Sequence, residues 1–320
     1  MQPSIPNQPT VVIAGGSGFI GRALAQKLNG HGMRPILLSR SPAPTRSNTH
    51  LVPAASAPDV VQWNFDSIEA WAPCLEGAIA VINLAGKSVD CAPTDVNLAE
   101  IRRSRVRSTE VLGQAIARCQ RPPAVWVQAS SLAFYANAGD AIVEENAPLG
   151  SDVLAGICRD WESAHVQACP ASVRQVTLRI GIVLGRDGGA LVPLRRLTLW
   201  GLGGAAGDGR QYMSWIHLED MVRLLEYAVR EPSMRGAFNA CAPYPVTNAE
   251  FMREMRRVLK RPWVPPAPVF AIRIAARLMG TNPELILKGW RAVPAQALAA
   301  GFRFQYPMLP AALEHLLKTG

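Results

Sequence analysis

Gly15, Gly18 and Gly21 stand three residues apart in Ala14-Gly15-Gly16-Ser17-Gly18-Phe19-Ile20-Gly21, between the apolar run Val11-Val12-Ile13 and the helix-prone stretch 22–28. In that setting the first glycine takes a sharp turn, the second lets a pyrophosphate approach the backbone, and the third lets a helix pack on a strand. The helix N-terminus behind them offers unpaired N–H groups and the positive end of its dipole to a diphosphate. The chemistry is dinucleotide binding, with Gly15, Ser17, Gly18, Phe19, Ile20 and Gly21 as the candidate contacts.

A second group qualifies the first. Ser39-Arg40 follows the apolar run Pro35–Leu38. An acidic residue there would hold a ribose 2′-hydroxyl, whereas a hydroxyl and a guanidinium suit a 2′-phosphate, so NADP(H) is expected over NAD(H). Leu84-Ala85-Gly86 closes another apolar run with small residues that allow close backbone approach. Ser130-Ser131 brings two hydroxyls to the end of a further run, and Tyr135 follows four residues after Ser131. Arg210 lies beside the glycine-rich stretch 201–209, where a guanidinium can clamp a phosphate or carboxylate of a substrate, although a solvated loop arginine has the same appearance. His217 titrates near neutrality and so has the chemistry of a general base. No cysteine or histidine spacing suggests a metal site.

These residues need a scaffold that ends several strands at one edge. Strands are expected at 11–14, 35–40, 60–64, 78–86, 124–131, 176–184 and 236–240, and helices at 22–28, 95–118, 157–166 and, led into by 213–220, through 229. Strand and helix alternate, so the expected fold class is α/β, a Rossmann-type doubly wound parallel sheet with its ligand crevice beyond the carboxyl ends of the strands. Thr247-Asn248-Ala249-Glu250 has the form of a capping box. Residues 1–9 read as a disordered tail and 41–58 as a mobile surface loop. The dinucleotide-binding domain is expected over 10–185, completed by 215–242, and a small, mostly helical substrate or cap lobe over 186–214 and 243–320. Trp63 or Asp66 could lie near an adenine, or Trp63 could be ordinary core.

Composition narrows the function classes. The net charge of +9 would suit nucleic acid if it were clustered, but the densest basic runs, 101–107 and 253–257, lie on amphipathic helical patterns and read as solvated helix faces. No nucleic-acid partner is expected. The six cysteines are scattered without paired spacing and read as reduced thiols of a cytoplasmic protein. No apolar stretch reaches the roughly 18 residues of a membrane span. Residues 1–9 lack the basic start and apolar centre of a signal peptide.

With these residues placed, the chain resembles the extended short-chain dehydrogenases/reductases, the superfamily of nucleotide-sugar epimerases and dehydratases. The resemblance rests on Gly15–Gly21, Asn83–Gly86, Ser130-Ser131 with Tyr135, Arg179–Gly185 and the stretch 209–217. More narrowly it is similar to an atypical epimerase-like family with a short C-terminal module, through Ser104-Arg105-Val106, Cys158–Glu162, Met213–His217, Pro245–Phe251 and Gly301–Pro307. The resemblance implies hydride transfer with a nicotinamide cofactor on a small-molecule substrate, a Ser holding the reacting oxygen, and a Tyr made acidic by a Lys four residues on. Counted back from Glu162, those last two positions are Leu154 and Cys158, and neither can do that work. Either another group moves the proton, with Ser131 and Tyr135 the nearest candidates and Lys87 a source of charge, or the protein binds NADP(H) without turnover, as a sensor. The resemblance also implies that the His217 segment is mainly structural. By analogy with such sheets, paired surface helices would make a homodimer.

Overall fold

The β-branched residues Val11, Val12 and Ile13 fill β1 (Thr10–Ala14) and are fully buried, as expected of a central strand covered on both faces. In this computed structural model, which describes residues 8–40 and 58–318, β1 is followed by α1 (Phe19–Gly30), β2 (Arg34–Ser39), β3 (Asp59–Gln62), β4 (Ala80–Asn83), α2 (Asp95–Ala117) and β5 (Val125–Ser131). Next come β6 (Ile142–Val143), α3 (Val153–Ala168), β7 (Arg174–Ile180), β8 (Ile182–Gly185), β9 (Gly188–Gly189), α4 (Leu191–Leu199), β10 (Tyr212–Met213), β11 (Trp215–His217), α5 (Leu218–Arg230) and β12 (Gly236–Ala240). The later elements are β13 (Val246–Thr247), α6 (Asn248–Val258), α7 (Val269–Met279), α8 (Glu284–Leu287), β14 (Arg291–Ala292), α9 (Ala295–Ala299) and α10 (Leu309–Lys318). The expected tail and the expected loop at 41–58 fall almost wholly outside the described residues.

Seven strands form one sheet in the order β12-β7-β5-β4-β1-β2-β3, every neighbouring pair parallel. This is the doubly wound Rossmann sheet. The order reverses between β1 and β4, which is where such sheets open a ligand crevice. Ala14 is level with Leu38 on β2 and with Asn83 on β4, so the turns after all three strands share one edge. On one face Leu24 and Leu28 of α1 and Leu224, Leu225 and Ala228 of α5 share a core with Val11 and Ile13. On the other, Leu112 and Ile116 of α2 pack with Val12, Val81 and Trp126.

The strand expected over 176–184 is two strands. A Cβ at Gly181 would lie 2.3 Å from the Ser214 carbonyl oxygen, so the chain steps out of the main sheet there. β8 then pairs with β11 and β9 instead. The helix expected at 157–166 begins earlier, at Val153, because the Asp152 side chain accepts the Ala155 N–H at 2.9 Å. The capping box at Thr247 and Glu250 is present. Trp63 is core, 3% exposed and edge-on to Phe65 and Trp71.

A third core gathers Trp215, Phe251 and Met255 with Leu309, Leu313 and Leu316 of α10. Ala297 and Phe302, however, join the core of the main sheet. The cysteines at 74, 91, 119, 158, 169 and 241 are free thiols. Among the described residues no helix is long and apolar enough to cross a membrane.

Candidate functional site

The glycine turn is built by contact. Gly15 has φ +74°, and a Cβ there would lie 2.8 Å from the Leu84 carbonyl group and 2.9 Å from the Ala85 nitrogen, so the turns after β1 and β4 touch backbone to backbone. A Cβ at Gly21 would sit 2.6 Å from the Gly16 Cα, which sets how closely α1 approaches β1. Gly18 is the N-cap of α1 and provides no side-chain cap, and no acidic residue lies in the first helical turn. The first N–H groups of α1, at Phe19 and Ile20, are thereby left for an anion. The Phe19 ring does not face that anion, because it lies where Cβ atoms on Gly185, Gly188 and Gly189 would collide with it.

Ser39 ends β2 and donates from Oγ to Ser17 Oγ at 3.3 Å, joining the second strand to the glycine turn. Arg40 follows, exposed. Arg22, a residue that sequence reasoning passed over, donates to the Ser17 carbonyl and brings another guanidinium to the rim of this turn. Its signal was its place one residue after Gly21.

The turn after β4 is fixed from beneath. The buried Asn83 donates from Nδ2 to Gln128 Oε1 at 3.1 Å and to Thr109 Oγ1 at 3.3 Å, and its Oδ1 accepts the Ala85 N–H at 3.0 Å. Leu84, Ala85 and Gly86 are therefore held where the sheet order reverses.

Ser131 reaches the same edge at the end of β5, half-buried, its Oγ accepting the Ala133 N–H at 3.2 Å. Ser130 points into the protein and donates to Glu162 Oε1 at 2.6 Å. Tyr135, four residues on, is turned into the protein interior. It is 2% exposed, donates to Asn239 Oδ1 at 2.7 Å and accepts from Arg179 Nη1 at 2.8 Å, and burial pushes its phenol up to about 12. Arg179 also pairs with Glu162 at 2.8 Å and lies 3.6 Å from the centre of the Phe134 ring. The phenol expected to move a proton is thus held by Asn239 and Arg179 in the protein interior.

At the two positions left without a Tyr and a Lys, Leu154 is half-buried, and burial pushes the Cys158 thiol up to about 12. The ammonium of Lys87, the expected source of charge, is held by Asn97 Oδ1 at 2.7 Å and by Glu100. Within the run 101–107, expected to be solvated, Arg105 is instead half-buried, its Cζ 5.0 Å from the Trp161 ring. The notable pattern had been its place in Ser104-Arg105-Val106; the contact that buries it depends on α3 lying alongside α2.

Two other candidates belong to the segment that follows α4. Arg210 is exposed beside the Gly207–Gly209 turn, with its N–H on Asp208 Oδ1 at 3.0 Å. His217 is structural: it caps α5 by accepting the Glu219 N–H at 3.0 Å, and it stacks on Tyr306 with ring centres 4.0 Å apart. Burial, helped by the neighbouring His315, lowers it to about 4.

Known proteins share this arrangement. A model of the NAD dependent epimerase/dehydratase family matches residues 11–241, and a domain of unknown function, DUF1731, matches residues 267–316. The chloroplastic SDR39U1 homolog of Arabidopsis thaliana, an epimerase family protein, is 34% identical over 98% of this chain and 88% of its own length. An epimerase family protein of Mycobacterium leprae is 37% identical over 95% of this chain and 94% of its own. The crystal structure of human epimerase family protein SDR39U1 (isoform2) with NADPH superposes with a TM-score of 0.85 at 31% identity, covering 97% of this chain and 100% of that one. With the nucleotide-type turn, the reversed strand order and the C-terminal module all in place, the chain belongs to the NAD-dependent epimerase/dehydratase family, within the extended short-chain dehydrogenases/reductases and alongside the SDR39U1 proteins.

Proposed function

We propose that this protein binds NADP(H) and uses it for hydride transfer on a small-molecule substrate, as an oxidoreductase or epimerase-like enzyme. The observation that carries the reading is the uncapped N-terminus of α1 behind Gly15–Gly21, set directly against the Leu84–Gly86 turn. The backbone N–H groups of Phe19 and Ile20 would hold the diphosphate, and Ser39, Arg40 and Arg22 would receive the 2′-phosphate. The NADPH in the human relative's structure supports the same choice. When bound, the nicotinamide supplies the hydride-exchanging carbon. Ser131 Oγ, whose proton is not committed by the bond from Ala133, is free to donate to a substrate oxygen.

Titration of the purified chain with NADPH and NADH tests the cofactor. NADPH should bind at least about tenfold more tightly, a difference of roughly 1.4 kcal/mol, and Arg40→Asp should remove most of that preference. Equal affinities, or a preference untouched by Arg40→Asp, would sink the assignment.

A second reading is an NADP(H)-binding protein without turnover, favoured by Leu154, Cys158 and the buried Tyr135. A screen of carbonyl compounds and alcohols followed at the nicotinamide absorbance separates the two. Turnover that is abolished by Ser131→Ala excludes the sensor, and silence across the screen favours it.

A further inference from the structure

Arg105 is a cation placed at the ligand edge of the sheet with part of its donor set committed and part open. Its Nη1 donates to the Lys87 carbonyl at 2.9 Å and to the Ile101 carbonyl at 3.2 Å, which fixes the plane of the guanidinium. Gly86 packs against it so closely that a Cβ there would lie 3.3 Å from Cζ and from Nη1, and Trp161 closes in from α3. Among the described residues no hydrogen bond reaches Nε or Nη2. The nearby carboxylates are engaged elsewhere: Glu100 with Lys87, Asp160 with Arg102 and Arg159, and Glu162 with Arg179. The titratable groups that act on Arg105 are the thiols of Cys158 and Cys91, and Cys158 also lies against the Ser131 backbone.

A half-buried cation without a carboxylate partner is costly unless an anion completes it. We propose that Arg105 is a substrate-binding residue whose Nε–Nη2 edge receives a carboxylate, so that the substrate is a small hydroxy or oxo acid. The two donors on that edge are parallel and coplanar, the geometry that two carboxylate oxygens match, and partial burial strengthens the attraction. Gly86 on one side and Cys158 with Ser131 on the other place this anion site between the expected cofactor turn and the hydroxyl expected to hold the reacting oxygen. The proposal deepens the hydride-transfer reading and takes its reaction from it, but its test is separate.

Oxalate and inorganic phosphate are titrated calorimetrically into the full chain, with and without NADPH. Oxalate should bind saturably, and Arg105→Gln should weaken it at least about tenfold, a change of roughly one power of ten in Kd. Arg105→Lys should fall between, keeping the charge but losing the fork, and NADPH affinity should stay within about twofold in both variants. Should Arg105→Gln fail to fold, Arg105→Lys carries the comparison. The proposal is overturned if oxalate does not bind saturably, if the variants bind it as the parent does, if phosphate binds in preference, or if NADPH affinity falls in step with oxalate. Oxalate binding that depends on Arg105 in a protein indifferent to NADPH would uphold the proposal and remove the hydride-transfer reading.

Discussion

Tyr135 stands four residues beyond Ser131, yet Ser131 is half-buried at the end of β5 while Tyr135 is 2% exposed. A short 3-10 turn, Leu132–Phe134, capped by Ser131 itself, swings the tyrosine into the core, where Gly150 presses on its carbonyl. Tyr135→Phe should therefore cost about 1–2 kcal/mol of stability through the lost bonds to Arg179 and Asn239, read as a lower urea midpoint, while leaving NADPH affinity unchanged. An affinity drop with no change in midpoint would return Tyr135 to the site. Glu162→Ala should cost more, about 3–5 kcal/mol, because it strands the Arg179 guanidinium, which is 6% exposed. At this scale the sequence was only half legible. Gly15, Ser39 and Ser131 could be placed because each ends an apolar run. The burial of Arg105 and Tyr135 depends on neighbours from α3, β7 and β12, which no local pattern reports.

Elements were easier to read than the directions of their side chains. Alternating apolar runs located the strands of the sheet, and the Thr247–Glu250 pattern located the start of α6, because both signals lie within a few residues of what they specify. The break at Gly181 was not legible, since its cause is the carbonyl of Ser214, remote in sequence. The early start of α3 is legible in principle from Asp152, a residue type favoured at helix N-caps. Asp152→Ala should cost about 1 kcal/mol, measurable by thermal or urea unfolding. Gly21→Ala is the sharper test of the turn. Its Cβ would meet backbone at 2.6 Å, so α1 must move off β1, and NADPH affinity should fall by more than about tenfold even in preparations that remain folded.

Over the whole molecule, acid should loosen the fold in a defined window. Burial holds both His165 and His217 at about 4, with the charge of His315 adding to the effect on His217. An unfolded imidazole titrates near 6.5, so below that the unfolded chain takes up protons that the folded chain refuses until about pH 4. Stability should be full above about pH 6.5 and decline as the pH falls towards 4, by on the order of 1–3 kcal/mol per histidine. Urea midpoints at pH 7.5 and 5 that coincide would contradict this. His217 also shows how the C-terminal module is secured, through its stack on Tyr306 and through the neighbouring buried Asp220, which accepts the Gln305 and Tyr306 N–H groups at 2.7 and 2.8 Å.

That module is fastened to earlier elements of the chain as well: β14 pairs with β6, and Asn239 of β12 donates to the Val293 carbonyl at 3.0 Å. Because Ala297 and Phe302 also fill the main core, the order of synthesis becomes a constraint on folding. A nascent chain halted short of Ala297 would already have made its glycine turn and every strand of the large sheet, yet that sheet would still have an unfilled gap on one face. Emergence of the segment carrying Ala297 and Phe302 from the ribosome, rather than formation of the nucleotide turn, would then be the event that completes the main core.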